Sequence, residues 1–183
     1  NASTDQSQNY IAENHPNIKL IQLNENMGFA KANNIGIKVS KGEYLLLVNT
    51  DVIVGRDCIK KMISYMKHHS NVGMMGPKVK FPDGTLQLTC MERLSLWNTL
   101  CRALALDRYM PRSRIFAKYK MSYWSYDEIR EVDVINGCFW LLSREAINVV
   151  GMLDERFFIY GEDIDWAIRF NNAGFKVVYY PNA

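Results

Sequence analysis

The run Tyr44-Leu45-Leu46-Leu47-Val48, and the Asn49-Thr50-Asp51 that closes it, constrain this chain most. The five residues are continuously apolar or aromatic rather than alternating. That suits a short strand buried on both faces, as in a parallel sheet flanked by helices. Such a run rarely ends in a bare carboxylate. Here it ends in Asn-Thr-Asp, and Gly55 then opens a helical pattern. In open α/β sheets ligands bind beyond the carboxyl ends of the strands. A carboxylate there can hold a divalent cation, and the cation a diphosphate. The same Asp can equally cap the following helix, and Asp51 alone leaves both readings open.

The flanking segments alternate in type. Ser3, Thr4 and Asp5 supply capping side chains for a short helix running to about Asn14. Ile18–Leu23 reads as a strand, Asn24–Gly28 as a turn, and Phe29–Val39 as a helix. Ile59, Met62, Ile63 and Met66 form an apolar stripe that predicts a helix over 56–69. Val72–Met75 is a short strand, and Lys78–Phe81 and Thr85–Leu88 form a hairpin around Pro82-Asp83-Gly84. Strand, helix, strand, helix is the βαβ signature, so the fold class is α/β.

Residues 93–120 break this pattern. They hold seven Arg and Lys against one acid, Asp107, among Leu96, Trp97, Leu100, Leu104, Tyr109, Met110 and Ile115. A basic, aromatic, amphipathic stretch can lie on an anionic membrane surface or bind an anionic lipid headgroup. The competing reading is one or two helices packed on the domain with a solvated basic face. The net charge of +3 is too small to argue for nucleic acid. The four cysteines have no C-x-x-C spacing and read as reduced, cytosolic thiols.

Glu131–Ile135 and Cys138–Leu142 are strand-like, Ser143 caps a helix through Val150, and Phe175–Tyr180 is a last strand. Between them lies Asp154-Glu155-Arg156-Phe157-Phe158-Ile159-Tyr160-Gly161-Glu162-Asp163-Ile164-Asp165-Trp166. Glu162 and Asp163 fall at the start of a helix, where the helix dipole favours acids. Capping explains one acid, but not their aromatic neighbours. Trp140, Tyr160 and Trp166 are either core or rings that stack on a ligand. No Ser-His-Asp arrangement is apparent, and His15, His68 and His69 read as surface residues.

The ordered set Asn1–Asp5, Asn26-Met27-Gly28-Phe29-Ala30 with Asn33-Asn34-Ile35-Gly36, Asn49-Thr50-Asp51 and Phe157–Asp165 resembles the family 2 glycosyltransferases. The likeness is to the bacterial polysaccharide and rhamnosyltransferase type, and it is weakest over 90–130. It implies one catalytic domain over 1–183 with the GT-A three-layer fold and a mixed, mostly parallel sheet. It also implies a strand–helix–strand unit before Asn1 and a continuation past Ala183. The fold is therefore expected to be cut at both ends, with an exposed sheet edge that promotes homo-oligomers.

The resemblance further implies Mg2+ or Mn2+, a UDP- or dTDP-sugar donor, a saccharide or lipid-linked acceptor, and inversion at the anomeric carbon. Asp51 matches the last acid of the metal motif, with Asn49 where many members carry its first Asp. Asp163 matches the general base. Asn1, Asp5, Gly28 and Asn33 fall on the nucleotide side, and Glu162, Trp140 and Tyr160 on the acceptor side. The expected setting is the cytoplasmic face of the cell membrane, with peripheral contact through 93–120 and no nucleic acid. The chemistry is consistent: a carboxylate assists deprotonation of the attacking hydroxyl, and a metal stabilises the departing diphosphate. A binding module of the same fold without transfer activity is the alternative.

Overall fold

The computed structural model describes residues 1–183, which divide into two compact units. One joins Asn1–Lys41 to Leu153–Glu162, and the other joins Gly42–Met152 to Asp163–Ala183.

The first unit contains α1 (Ser7–Asn14) and α2 (Phe29–Val39). Asp5 prepares α1 by accepting a hydrogen bond from the Ser7 N–H at 3.1 Å. Helix α2 buries Ala30, Asn34 and Ile37, one stripe at helical spacing. The expected strand over Ile18–Leu23 is not formed. A strand needs a neighbour to complete its ladder, and the one backbone bond crossing to this run is from the Ala2 N–H to the Leu23 carbonyl.

The second unit runs β1 (Tyr44–Val48), α3 (Cys58–His68), β2 (Val72–Pro77), β3 (Val79–Lys80), β4 (Leu86–Gln87), β5 (Cys90–Met91), α4 (Leu96–Ala103), α5 (Leu106–Tyr109), β6 (Arg130–Glu131), β7 (Val134–Ile135), β8 (Phe139–Ser143), α6 (Arg144–Val150), α7 (Glu162–Asn172) and β9 (Lys176–Tyr180). The hairpin expected at Pro82-Asp83-Gly84 is β3–β4. Residues 131–135 form two short strands rather than one. After Val132 bonds Val177, the chain leaves the main sheet and Val134–Ile135 pairs with Cys90–Met91.

The main sheet has the order β1-β8-β2-β9-β6. Strands β1, β2 and β9 run one way, so direction is mostly parallel as expected. Neighbour pairing is not: only β2–β9 is a parallel pair, because β8 inserts antiparallel between β1 and β2 and β6 flanks β9 antiparallel. Both faces of β1 are covered, Leu45 and Leu47 being buried on one and Tyr44 and Leu46 packing on the α3 side, but it is an edge strand whose last residue, Val48, is 41% exposed.

Alternation along β8 builds three layers. Phe139 and Leu141 join Met75 and Val178 against Cys58, Met62 and Met66 of α3. On the other face Trp140 meets Trp166 of α7, and Phe170 of α7 lies where a Cβ on Gly73 would be. Gly73 in β2 is thus the recess that lets α7 approach the sheet. No helix is long and apolar enough to cross a membrane.

Candidate active site

The register of the sheet sets which side chains reach its carboxyl end. Leu47 pairs with Trp140 and Val48 with Phe139, so the start of β8 lies beside the end of β1. The Asn49 N–H then donates to the Cys138 carbonyl at 3.0 Å, and the Val52 N–H closes a turn onto the Asn49 carbonyl at 3.2 Å. This turn carries Asp51 out of the strand, exposed. Burial holds the Cys138 thiol above its usual range, and the charge of Asp51 adds to that effect. The two groups are therefore close.

Helix α7 is anchored in the same layer. Its Trp166 meets Trp140 edge-on with ring centroids 5.7 Å apart, and its Nε1 donates to the Gly151 carbonyl at 2.9 Å. One turn later Phe170 sits over Gly73, near the start of β2. The helix thus runs from the carboxyl end of β1 and β2 toward their amino end. Asp163, one turn before Trp166, stands at the carboxyl end, where Asn49 and Asp51 also lie. Its Oδ1 accepts the Ile164 N–H at 2.8 Å, which leaves Oδ2 for other chemistry. Arg169 fixes the helix further by bonding Asp165 at 2.8 Å and the Val150 and Met152 carbonyls at 3.1 and 2.9 Å.

The first unit organises its own group of predicted residues. The Asn1 side chain donates to Asn26 Oδ1 and accepts the Met27 N–H, both at 2.8 Å, and thereby holds the turn before Gly28. Gly28 adopts φ +81°, and a Cβ there would stand 2.5 Å from the Phe158 carbonyl oxygen. That oxygen accepts the Phe29 N–H at 2.7 Å, so the glycine is required by a close backbone crossing. The amide of Asn33 donates to the Phe29 carbonyl one turn back on its own helix, at 2.9 Å. Asp5 is fully exposed, and hydrogen bonds from the Ser7 hydroxyl and N–H hold its carboxyl below the usual range. Tyr160 is 82% exposed and Glu162 is buried.

Trp140 differs from expectation. It is fully buried, and its Nε1 donates to the Ile135 carbonyl at 3.0 Å, so it has no ring face to offer a sugar. Its role is to seat α7. Trp166 is likewise core.

Two positioning residues were missed from sequence. Asn34 is 1% exposed and bonds both the carbonyl and the N–H of Leu153, and Glu155, at 2.8, 3.1 and 3.0 Å. It ties α2 to the segment before α7. A polar residue on the apolar stripe of Ala30 and Ile37 was the available signal. Arg169 was visible as the i+4 partner of Asp165.

A divalent ion fits this end of the sheet in one specific form. No group of three or more His, Cys, Asp or Glu side chains comes together. Mg2+ is commonly held by one or two carboxylates, with substrate phosphates and waters completing the shell. The exposed carboxylate of Asp51 suits that arrangement.

Comparison with known proteins identifies the fold and the family. The fold is that of the GT-A glycosyltransferases. A mannosyltransferase from Pyrobaculum calidifontis, solved with GDP-Man and Mn2+, superposes with a TM-score of 0.61 over 99% of this chain and 44% of its own, at 19% identity. The profile described as Glycosyl transferase family 2 matches residues 1–151, and the chain belongs to that family. It is 29% identical to an N-acetylglucosaminyl-diphospho-decaprenol L-rhamnosyltransferase of Mycobacterium tuberculosis, over 100% of this chain and 62% of the relative. It is 28% identical to a dTDP-rhamnosyl transferase of Shigella flexneri, over 90% of this chain and 50% of the relative. The chain thus spans less than two thirds of the length of these relatives.

Proposed function

We propose that this chain carries the catalytic residues of an inverting, metal-dependent glycosyltransferase of bacterial cell-surface polysaccharide synthesis. The donor is a UDP- or dTDP-sugar. The acceptor is a saccharide or a lipid-linked saccharide at the cytoplasmic face of the membrane, with 93–120 in peripheral contact. The names of the mycobacterial and Shigella relatives support a rhamnosyl donor and a polyprenyl diphosphate acceptor.

Asp163 accepts the proton of the acceptor hydroxyl. The hydroxyl oxygen forms its bond to the anomeric carbon from the face opposite the leaving group, which inverts the centre. The bond from that carbon to the diphosphate oxygen breaks, and the nucleoside diphosphate leaves with the electron pair. Asp51 is the carboxylate that would hold Mg2+ or Mn2+, and Asn49 assists it. When bound, the ion supplies positive charge against the leaving diphosphate. Asn1 and Asp5 act on the nucleoside side, where Gly28 and Asn33 shape the backbone. Tyr160 and Glu162 act on the acceptor side.

The observation that carries the reading is the orientation of α7, which supports Asp163 standing at the same end of the sheet as Asp51. Transfer from dTDP-rhamnose to a polyprenyl-diphosphate-linked sugar is the test. Activity that falls in Asp163→Asn, with dTDP affinity unchanged, supports a general base. Equal transfer by Asp163→Asn contradicts it and favours a module that binds without transferring through this residue.

A further inference from the structure

Helix α4 is amphipathic the wrong way round for a helix that ends at a solvated surface. Asn98 and Cys101 face inward, 4% and 1% exposed, while Leu96, Leu100 and the C-terminal Leu104 point outward at 93%, 48% and 58%. These three leucines, spaced i, i+4, i+8, form one stripe. In the segment that follows, Tyr109, Met110 and Ile115 are also exposed, at 81%, 51% and 59%. Soluble surfaces scatter such residues singly, and a run of this kind marks a contact surface.

The charge around the stripe identifies its partner. Arg93, Arg108, Arg112 and Arg114 are exposed and form no ion pair with a carboxylate. Arg102 lies over the Tyr119 ring at 4.2 Å, and Lys118 reaches Glu92 at 3.9 Å. The acids nearby are few: Glu92 is taken by Lys118, Asp133 accepts the Arg93 N–H, and Asp107 sits in the first turn of α5. The scaffold beneath is fixed. Ser95 caps α4 by accepting the Asn98 N–H, and Trp97 Nε1 donates to the Ile115 carbonyl at 3.0 Å. The cap and the Trp97 bond tie α4 to the turn at Ile115, so the stripe and the guanidinium groups belong to one local structure.

We propose that α4, α5 and the following turn to Ile115 are a docking surface for an anionic lipid bilayer, with Leu96, Leu100, Leu104 and Ile115 entering the acyl boundary and the four unpaired arginines meeting lipid phosphates. Nucleic acid would match the arginines but leave the leucines in water. A bilayer takes both. The surface rests on the proposed lipid-linked acceptor only for its biological purpose, since binding to vesicles needs no transfer.

The experiment is flotation of the protein with phosphatidylcholine vesicles and with vesicles also containing phosphatidylglycerol. Leu96→Ser/Leu100→Ser and Arg108→Gln/Arg112→Gln variants are run beside it, and dTDP binding is measured on every preparation. The expected result is flotation with the anionic vesicles alone, weakened by salt. Partitioning falls about tenfold for each serine and about fivefold for each glutamine, with dTDP binding intact. Absent or charge-independent flotation overturns the proposal. So does a protein dimer that Leu96→Ser/Leu100→Ser dissolves, because a second copy then covers the stripe. Loss of dTDP binding in wild type with flotation retained would sink the donor reading and leave the membrane surface standing.

Discussion

The carboxyl end of the main sheet and the 93–120 segment are built from the same residue types, put to opposite uses. Trp140 and Trp166 are fully buried in a T-shaped pair, whereas Trp97 is 44% exposed. Arg169 bonds a carboxylate and two carbonyls, whereas Arg108 and Arg112 have no carboxylate. Leu45 and Leu47 lie in the core, and Leu96 and Leu104 lie in water. The 93–120 segment is the more basic, but Trp, Arg and Leu occur in both regions. What separates them is whether a second element is present to receive the side chain. The sheet end is anchored by contacts from α7, and the apolar residues of 93–120 have no covering element within the chain.

The widest gap between the two regions is expected in catalysis. Asp163→Asn keeps an acceptor for the Ile164 N–H, so the fold persists while transfer falls by about 10²–10⁴, the range for a general base. Steady-state rates with unchanged circular dichroism check this. Trp166→Ala removes the ring that seats α7 on Trp140 and is expected to cost about 3–5 kcal/mol in urea unfolding. Arg169→Ala strands Asp165 and two carbonyls and is expected to cost about 1.5–3 kcal/mol by the same assay. Arg108→Ala, its counterpart in the open region, is expected to be close to neutral. A large loss there would show that 93–120 is a packed surface and erase the distinction.

A thiol probe sharpens the geometry of the sheet end. Burial pushes the Cys90 thiol up to about 12, so it should resist alkylation in the folded state. Cys138 is raised by burial and by the charge of Asp51. Removing that charge favours the thiolate, so Asp51→Asn should lower the Cys138 pKa and speed its alkylation about two- to fivefold below that pKa. An unchanged rate would show that Asp51 is not beside Cys138. The smallest effect is expected at Leu96→Ser, within about 0.5 kcal/mol of wild-type stability, because no neighbour is lost.

The elements with their own periodicity were legible in the sequence. Helix α2 falls on Phe29–Val39 as expected, α3, α6 and β9 lie within two residues of their expected ends, and α7 begins at Glu162. What depends on a partner was not legible. Ile18–Leu23 has strand composition and no ladder, β8 enters between β1 and β2 by long-range pairing, and Trp140 is core because α7 returns over it. At the candidate site, Asp51 and Asp163 were singled out by their motifs, and the proposal rests on them. The anchoring by Trp166 over Trp140 and Phe170 over Gly73 could not be read that way, since those contacts join residues distant in sequence.

Asp51 is proposed to complete a donor site with a divalent ion and a nucleoside diphosphate. Calorimetric titration of dTDP and UDP, with and without Mn2+, on wild type and Asp51→Ala tests it most directly. The account predicts binding of at least one nucleotide that requires Mn2+ and disappears in Asp51→Ala. Nucleotide binding that is independent of Mn2+, or that Asp51→Ala leaves intact, would contradict it.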